Sequence, residues 1–397
     1  MTKKSFAFSI GLVGFALCFS FSSASRAEAP TLTHANFMTG LQNPWDMAFL
    51  SDGTMFYTEK CLGLSIRFPN GTKRRLFGVP GSARVASDLL CQGQGGMMGV
   101  AIDPGFSTNR RVFVMMASKL SNPRTNRVIR LTLSSDLRSV TQRVDIVTNI
   151  SYKNVGNDWG GPGAHNGGRL RFHSSGHLFI TTGDNHNGPL PQDLTKLGGK
   201  VLRVNRNGAA IPENNAPEGA DPRIFAYGFR NVQGLAFRPG TSQIFISEHG
   251  PHHSDEVTRI RASGNGGWDP QPDPGVSCAS NYCGYISNRA DGRRTSMTDF
   301  EKFPDALVPT KVYADSQGLG PCTFLSGAQW KDWNGGLIVG IMGAGRAEVL
   351  RLNASGGLIG TSPVSLPNSR IRSLVLGPGG VLYAALDSGT IWRITAR

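Results

Sequence analysis

The chain is predicted to be all-β, a six-bladed β-propeller with a loop insertion between its fourth and fifth strand units. Three observations carry that expectation. A strand-like unit recurs six times along the sequence. Glycine is abundant, 51 of 397 residues, against a usual ~7%, and it is spread between short apolar runs, as many tight turns require. No long window carries the amphipathic period of a helix.

The unit is a turn with Gly or Asp, then an apolar strand that often ends on a polar or acidic residue. Its copies are SDGTMFYTEK from Ser51, FSTNRRVFVMMAS from Phe106, SSGHLFITTGD from Ser174, GTSQIFISEHG from Gly240, WNGGLIVGIMG from Trp333 and GPGGVLYAALDSG from Gly377. Each copy has roughly 60 residues, room for four short strands. A four-stranded unit repeated around an axis is a propeller blade. A two-sheet sandwich rarely needs this length. The widest gap, Gly250 to Trp333, is rich in Pro, Asn and Asp and reads as a loop region inserted on one face.

Residues 1–27 read as a secretory signal peptide: basic MTKK, an apolar stretch, and Ser25 and Ala27 at the small-residue positions before a cut. The remainder, 28–397, is expected to form the propeller domain, exported to a periplasm or secreted. No later segment approaches the ~20 continuous apolar residues of a membrane span. Removing Lys3, Lys4 and Arg26 from the 41 basic residues leaves 38 against 27 acidic ones, a formal charge of +11. The basic residues are scattered, with no Lys/Arg run interleaved with aromatics, so nucleic acid is not the expected partner. Five cysteines follow the leader. In an exported chain Cys278–Cys283 is a natural short loop closure and Cys61–Cys91 the next pair, leaving Cys322 free. Their spacing matches no zinc module.

Five constellations have the residue types for chemistry. His165 sits in a Gly-rich turn, and Asp184 ends the next strand. A carboxylate that accepts from Nδ1–H fixes the tautomer and leaves Nε2 as a base. The same residues also fit a turn histidine and an aspartate capping a loop. Arg230 and Asn231 lie in a turn before a strand, where a guanidinium suits a carboxylate ligand or simply faces solvent. SEHGPHHSDE, from Ser247, offers carbonyl and carboxylate oxygens that favour a hard cation such as calcium; a polar loop is the other reading. Arg370 and Arg372 alternate on a strand and so share a face. Gln94 lies in a further Gly-rich turn. All five lie at strand ends in different repeats, and a propeller gathers such ends around its axis. One pocket for a small, flat, polycarboxylated ligand with calcium follows from that arrangement.

At these residues the sequence resembles the soluble quinoprotein sugar dehydrogenases that use pyrroloquinoline quinone, the glucose/sorbosone dehydrogenase group. The likeness covers nearly the whole mature chain. Its most specific stretches are GQGGMMGVAIDPGF, HNGGRL, TTGD, LGGKVLRVN, YGFRNVQGLAF and EHGP with its following DE, in the family's order. The resemblance implies a six-bladed propeller that oxidises an aldose or related sugar at C1 and passes electrons to a soluble non-oxygen acceptor. It implies His165 as the base taking the C1 hydroxyl proton and Asp184 as its orienting partner. It implies Arg230 near the quinone carbonyl, and Gln94, Asn231, His249, Arg370 and Arg372 around the cofactor. The carbonyls of Gly250 and Pro251 are implied as calcium ligands. His173, His177 and His186 are left as ordinary strand and turn residues.

The sequence departs from the family at three places: Ala164 stands where an acid often precedes the histidine, His249 where glutamine is common, and Met342 and Gly343, with Arg346 nearby, where glucose-oxidising members carry a lysine. A non-catalytic sugar- or protein-binding propeller is the alternative. A calcium-dependent propeller hydrolase would need more central acids than the sequence offers. Which sugar is used and the oligomeric state stay open.

Overall fold

The structure, a computed structural model, describes residues 1–5, 28–154 and 160–397. The expected signal peptide falls almost wholly on 6–27, outside the described residues.

Six mostly antiparallel sheets follow one another along the chain and form a six-bladed propeller. Their innermost strands are Pro44–Phe49, Met97–Ile102, Leu170–Phe172, Val232–Phe237, Leu319–Phe324 and Ile371–Leu376. Each packs against the next around a ring, and the sixth packs against the first. Every repeat recognised in the sequence supplies the second strand of a blade: Met55–Glu59, Arg111–Ser118, Leu178–Thr181, Ile244–Glu248, Leu337–Ile341 and Leu382–Leu386. These strands are covered on both faces by neighbouring blades. That is why they read as continuous apolar runs rather than as alternation, and all five residues of Leu337–Ile341 and of Leu382–Leu386 are buried.

The sixth blade is completed by the other end of the chain. Leu32–Met38 pairs antiparallel with Thr390–Ala396. The Thr31 N–H donates to the Arg397 carbonyl at 3.0 Å, and the reciprocal bond has the same length. This pairing closes the ring and covers an otherwise open sheet edge.

The insertion lies inside the fourth blade, between its third strand, His253–Ile260, and its fourth, Pro309–Asp315. Its first residues, Gly264–Asn265, join the third blade as a parallel edge strand beside Ile224–Tyr227. It then forms a small core of Trp268, Tyr282 and Met297 with Tyr285 packed against it. Cys278–Cys283 is disulfide-bonded, as is Cys61–Cys91, and Cys322 is free and buried. All three cysteine expectations hold, and the bridges fit an oxidising compartment. Among the described residues no helix is long and apolar enough to cross a membrane.

One polar cluster crosses the propeller axis. Arg169, fully buried, lies 2.7 Å from Asp46 Oδ1 and donates to the carbonyls of Gln233 (3.2 Å) and Arg372 (2.9 Å). Asp46 also accepts from Arg171 and from the Ser373 hydroxyl. Burial alone would raise the Asp46 pKa, but the charges of Arg169 and Arg171 and these hydrogen bonds outweigh it and hold the carboxyl at about 2. Blades one, three, four and six are thereby joined at their inner strands.

Candidate active site

Neighbouring strands run antiparallel. The loop entering an inner strand and the loop leaving the second strand therefore lie at the same edge of a blade. Entering loops carry Gln94, His165, Asn231 and Arg370, and leaving loops carry Lys60, Asp184, His249, Met342 and Asp387. Around a ring, these edges face one axial cavity of about 430 Å³, within the ~300–1,000 Å³ usual for ligand sites. It is lined by Lys60, Gln94, His165, Asn231, His249, Met342, Arg370, Arg372 and Asp387, with Trp45 and Gln233. Six expected site residues meet there: Gln94, His165, Asn231, His249, Arg370 and Arg372. Asp184, Arg230, Gly250 and Pro251 do not line it.

The glycines around His165 answer to close backbone approach. A Cβ on Gly167 would lie 2.6 Å from the Thr182 backbone, and one on Gly163 would lie 2.5 Å from the Gly95 nitrogen. With these contacts the turn presses against blade two and its own second strand. His165 itself takes a left-handed φ of 51°.

His165 Nδ1 is 2.6 Å from Asp184 Oδ1. Asp184 is fully buried; its Oδ2 accepts from Trp268 Nε1 at 2.8 Å, and its backbone N–H donates to the Arg230 carbonyl at 2.8 Å. Burial raises the carboxyl pKa of Asp184. Burial first, then the charges of Arg230, His249 and Lys153, hold the His165 imidazole well below the usual histidine value. The ring is thus a neutral imidazole with Nδ1–H directed at the carboxylate. Burial, followed by Arg230, Arg372 and Arg370, lowers His249 to about 3.

Trp268, which the sequence reading passed over, comes from the insertion. Trp268→Phe keeps an aromatic, though smaller, ring and removes the indole N–H, so one oxygen of a buried carboxylate loses its donor. Loss of one charge-assisted bond is expected to lower kcat about tenfold, with KM changed less than twofold, in steady-state assays.

Arg230 turns toward the insertion. Its guanidinium donates to the Tyr285 hydroxyl at 2.7 Å and to the His249 carbonyl at 3.1 Å. Asn231 lines the cavity while its Oδ1 accepts from the Gly167 N–H at 3.1 Å. Arg370 and Arg372 do share a face, and both reach Asp387, at 2.7 and 2.8 Å. The anion they hold in this structure is that carboxylate. Asp387 ends the sixth repeat, in its LDSG.

His186 is the clearest correction. It is not an ordinary turn residue: it is buried, and its Nε2 lies 2.9 Å from His165 Nε2 and 3.0 Å from the Tyr285 hydroxyl. His173 and His177 do sit at a turn, each within hydrogen-bond reach of Ser175. Met342, which the resemblance aligns with a lysine of glucose-oxidising members, lines the cavity, and Lys60 of the first blade lines it too, donating to the Gly93 carbonyl at 2.8 Å. Arg346 pairs with Glu348 instead.

A sequence profile described as glucose/sorbosone dehydrogenase matches residues 41–393. The chain belongs to that family. It is 29% identical over 386 residues to the aldose sugar dehydrogenase YliI of Escherichia coli, covering 95% of this chain and 96% of the relative. It is 26% identical over 308 residues to quinoprotein glucose dehydrogenase B of Acinetobacter calcoaceticus, covering 70% of this chain and 60% of the relative. The crystal structure of the soluble aldose sugar dehydrogenase of E. coli in its apo form superposes with a TM-score of 0.73 at 26% identity, covering 92% of this chain and all of that one. Membership in this sugar dehydrogenase family agrees with the six-bladed ring.

Proposed function

We propose that this family member is an exported oxidoreductase that oxidises an aldose or related sugar at C1. Pyrroloquinoline quinone is the proposed cofactor, calcium its companion ion, and a soluble non-oxygen compound the final electron acceptor. The observation that carries this reading is the buried Asp184–His165 pair at the wall of a cavity rimmed by Lys60, Arg370 and Arg372. A binding module has no use for an oriented, neutral base beside cationic side chains.

The residues fit such a cofactor. Arg370, Arg372 and Lys60 suit a polycarboxylate. His249 Nε2 and Arg230 Nε are buried without a hydrogen-bond partner among the described residues, which is how groups awaiting a polar ligand appear. No cluster of three or more His, Cys, Asp or Glu side chains that could hold a metal occurs among those residues, so a calcium ion there would rely on main-chain oxygens. Gly250 and Pro251 would supply them: neither carbonyl accepts a hydrogen bond among the described residues. Asp255 holds that turn by accepting from the Gly250 N–H at 2.8 Å and the Gln317 N–H at 2.9 Å. When bound, the quinone would supply the hydride acceptor and calcium a Lewis acid beside it. His165 then takes the hydroxyl proton at Nε2, Asp184 stabilises the imidazolium at Nδ1, and Arg230 contributes positive charge nearby.

A cofactor-free binding propeller is the second reading, favoured by Asp387, whose single carboxylate already pairs with both arginines. The deciding experiment adds pyrroloquinoline quinone and calcium to the purified protein and follows dye reduction with a panel of sugars. Saturable micromolar binding with sugar-dependent reduction is expected. An absence of cofactor binding at that level would leave only the second reading.

A further inference from the structure

His186 has a place in the site that the base mechanism above does not use. Its Nε2 faces His165 Nε2 at 2.9 Å, with ring centroids 3.7 Å apart. The protons on this chain of groups follow from one another. Asp184 requires Nδ1–H on neutral His165, so His165 Nε2 carries a lone pair. A bond between the two Nε2 atoms then requires His186 to be the donor. Its N–H is shared with the Tyr285 oxygen at 3.0 Å, which also accepts from Arg230 at 2.7 Å. The lone pair that the proposed base needs is therefore engaged by a neighbouring imidazole.

The position of His186 is built by the same carboxylate. Asp184 Oδ1 accepts both His165 Nδ1–H and the His186 backbone N–H, at 2.6 and 3.0 Å. Tyr282 of the insertion adds an edge contact at 5.1 Å. Beside His186 lies a second cavity of about 330 Å³, lined among the described residues by Tyr152, Lys153, Asn185 and Ser280, with others. His186 lines this cavity, whereas His165 lines the axial one. Tyr152 Oη and Asn185 Oδ1 are buried without a hydrogen-bond partner among the described residues, and such atoms are costly unless a ligand or water meets them.

We propose that the reacting sugar hydroxyl enters between the two imidazoles, and that the sugar ring occupies the cavity beside His186. A hydroxyl has one proton to donate and lone pairs to accept with. It would donate to His165 Nε2 and accept the His186 N–H, replacing the direct bond between the rings by two. On oxidation the O–H bond breaks and its proton goes to His165. The C–H hydride leaves to the quinone acceptor of the reading above, on which this inference rests, and the carbon–oxygen bond becomes a carbonyl. The His186 N–H stabilises charge that develops on the oxygen as the proton departs. The ligand class is a compact polyol whose further hydroxyls meet Tyr152 and Asn185.

The test compares His186→Phe, His186→Gln and Tyr152→Phe with the wild type in dye-coupled assays, with cofactor affinity and melting temperature measured in parallel. In His186→Phe, kcat/KM is expected to fall about tenfold to a hundredfold, with both kcat and KM affected, while cofactor affinity stays within twofold. His186→Gln, which keeps an N–H donor, regains part of the loss. Tyr152→Phe raises KM about threefold to tenfold and leaves kcat within twofold. Unchanged kcat and KM in His186→Phe overturn the inference alone. So does a loss that the glutamine variant does not relieve and that runs in parallel with lost stability and lost cofactor affinity, because His186 would then be structural. A wild-type protein that binds no cofactor and oxidises no sugar overturns the underlying reading, and this inference with it.

Discussion

His165→Ala is expected to lower turnover by on the order of 10³-fold, the range for loss of a positioned general base, while cofactor affinity changes less than threefold. The reason is the division of labour at the cavity wall. The cations Arg370, Arg372 and Lys60 that suit the cofactor come from the sixth and first blades, whereas His165 and Asp184 come from the third. Removing the imidazole therefore takes away the proton acceptor and leaves the anion-binding side chains in place. Pre-steady-state dye reduction with the cofactor-loaded variant checks this, and turnover equal to the wild type refutes the assignment of the base. The pH profile is a second check. Burial and the surrounding cations keep His165 neutral well below its ordinary pKa of 6.5, so the acid limb of kcat/KM is expected below pH 6.5. The same shift affects stability. The unfolded chain takes up a proton near pH 6.5 and the folded His165 does not, so acidification below that value favours unfolding.

Asp46→Asn is expected to destabilise the fold by about 3–5 kcal/mol, the cost of leaving a buried charge without its partner. Arg169 is as buried as Asp46, and the amide cannot neutralise it. The damage should extend to the site, because Arg169 stacks 4.4 Å from the Trp45 ring, and Trp45, Gln233 and Arg372 line the cavity above this cluster. Denaturant titrations at pH 7 measure the loss as a lower midpoint at unchanged slope. The Asp46 carboxyl is held near pH 2 when folded and titrates near 3.8 when unfolded. Its contribution is present in full above about pH 3.8 and is lost as pH falls toward 2. The gap between wild type and variant should therefore narrow over that acidic window. A midpoint equal to the wild type at pH 7 would mean that the cluster contributes no net stability.

The repeats were legible because the second strand of each blade is covered on both faces. Its apolar run is continuous, and its polar end lies at the axial edge. That single physical fact gave the blade count from six short stretches, and it marked Asp184 and His249 as ends worth attention; Asp387, at the end of the sixth, was not singled out. The glycine-rich turn around His165 was legible from residue choice; its left-handed φ and its close backbone contacts were not. The two disulfides were legible from loop length and compartment.

Other features had no local signal. Leu32–Met38 reads as one more strand, and only ring closure makes it the last strand of the final blade. Arg169 and Asp46 are separated by more than a hundred residues, and neither has a neighbour in sequence that announces a buried ion pair. Trp268 and Tyr285 sit in an insertion whose composition predicts a loop, yet the fold swings that loop over the third blade, where they meet Asp184, Arg230 and His186. His186 itself lies two residues after Asp184 in a polar turn, and polar turns usually face solvent.

By itself, the sequence determined what short-range pattern controls: the blades, their number, the turn that presents His165, and the residue types available at strand ends. The tertiary structure alone decided which of those ends touch, because contacts across the ring depend on closure and on the path of the insertion. Those contacts pair Arg370 and Arg372 with Asp387, carry Arg169 across the axis, and bring a second imidazole to His165.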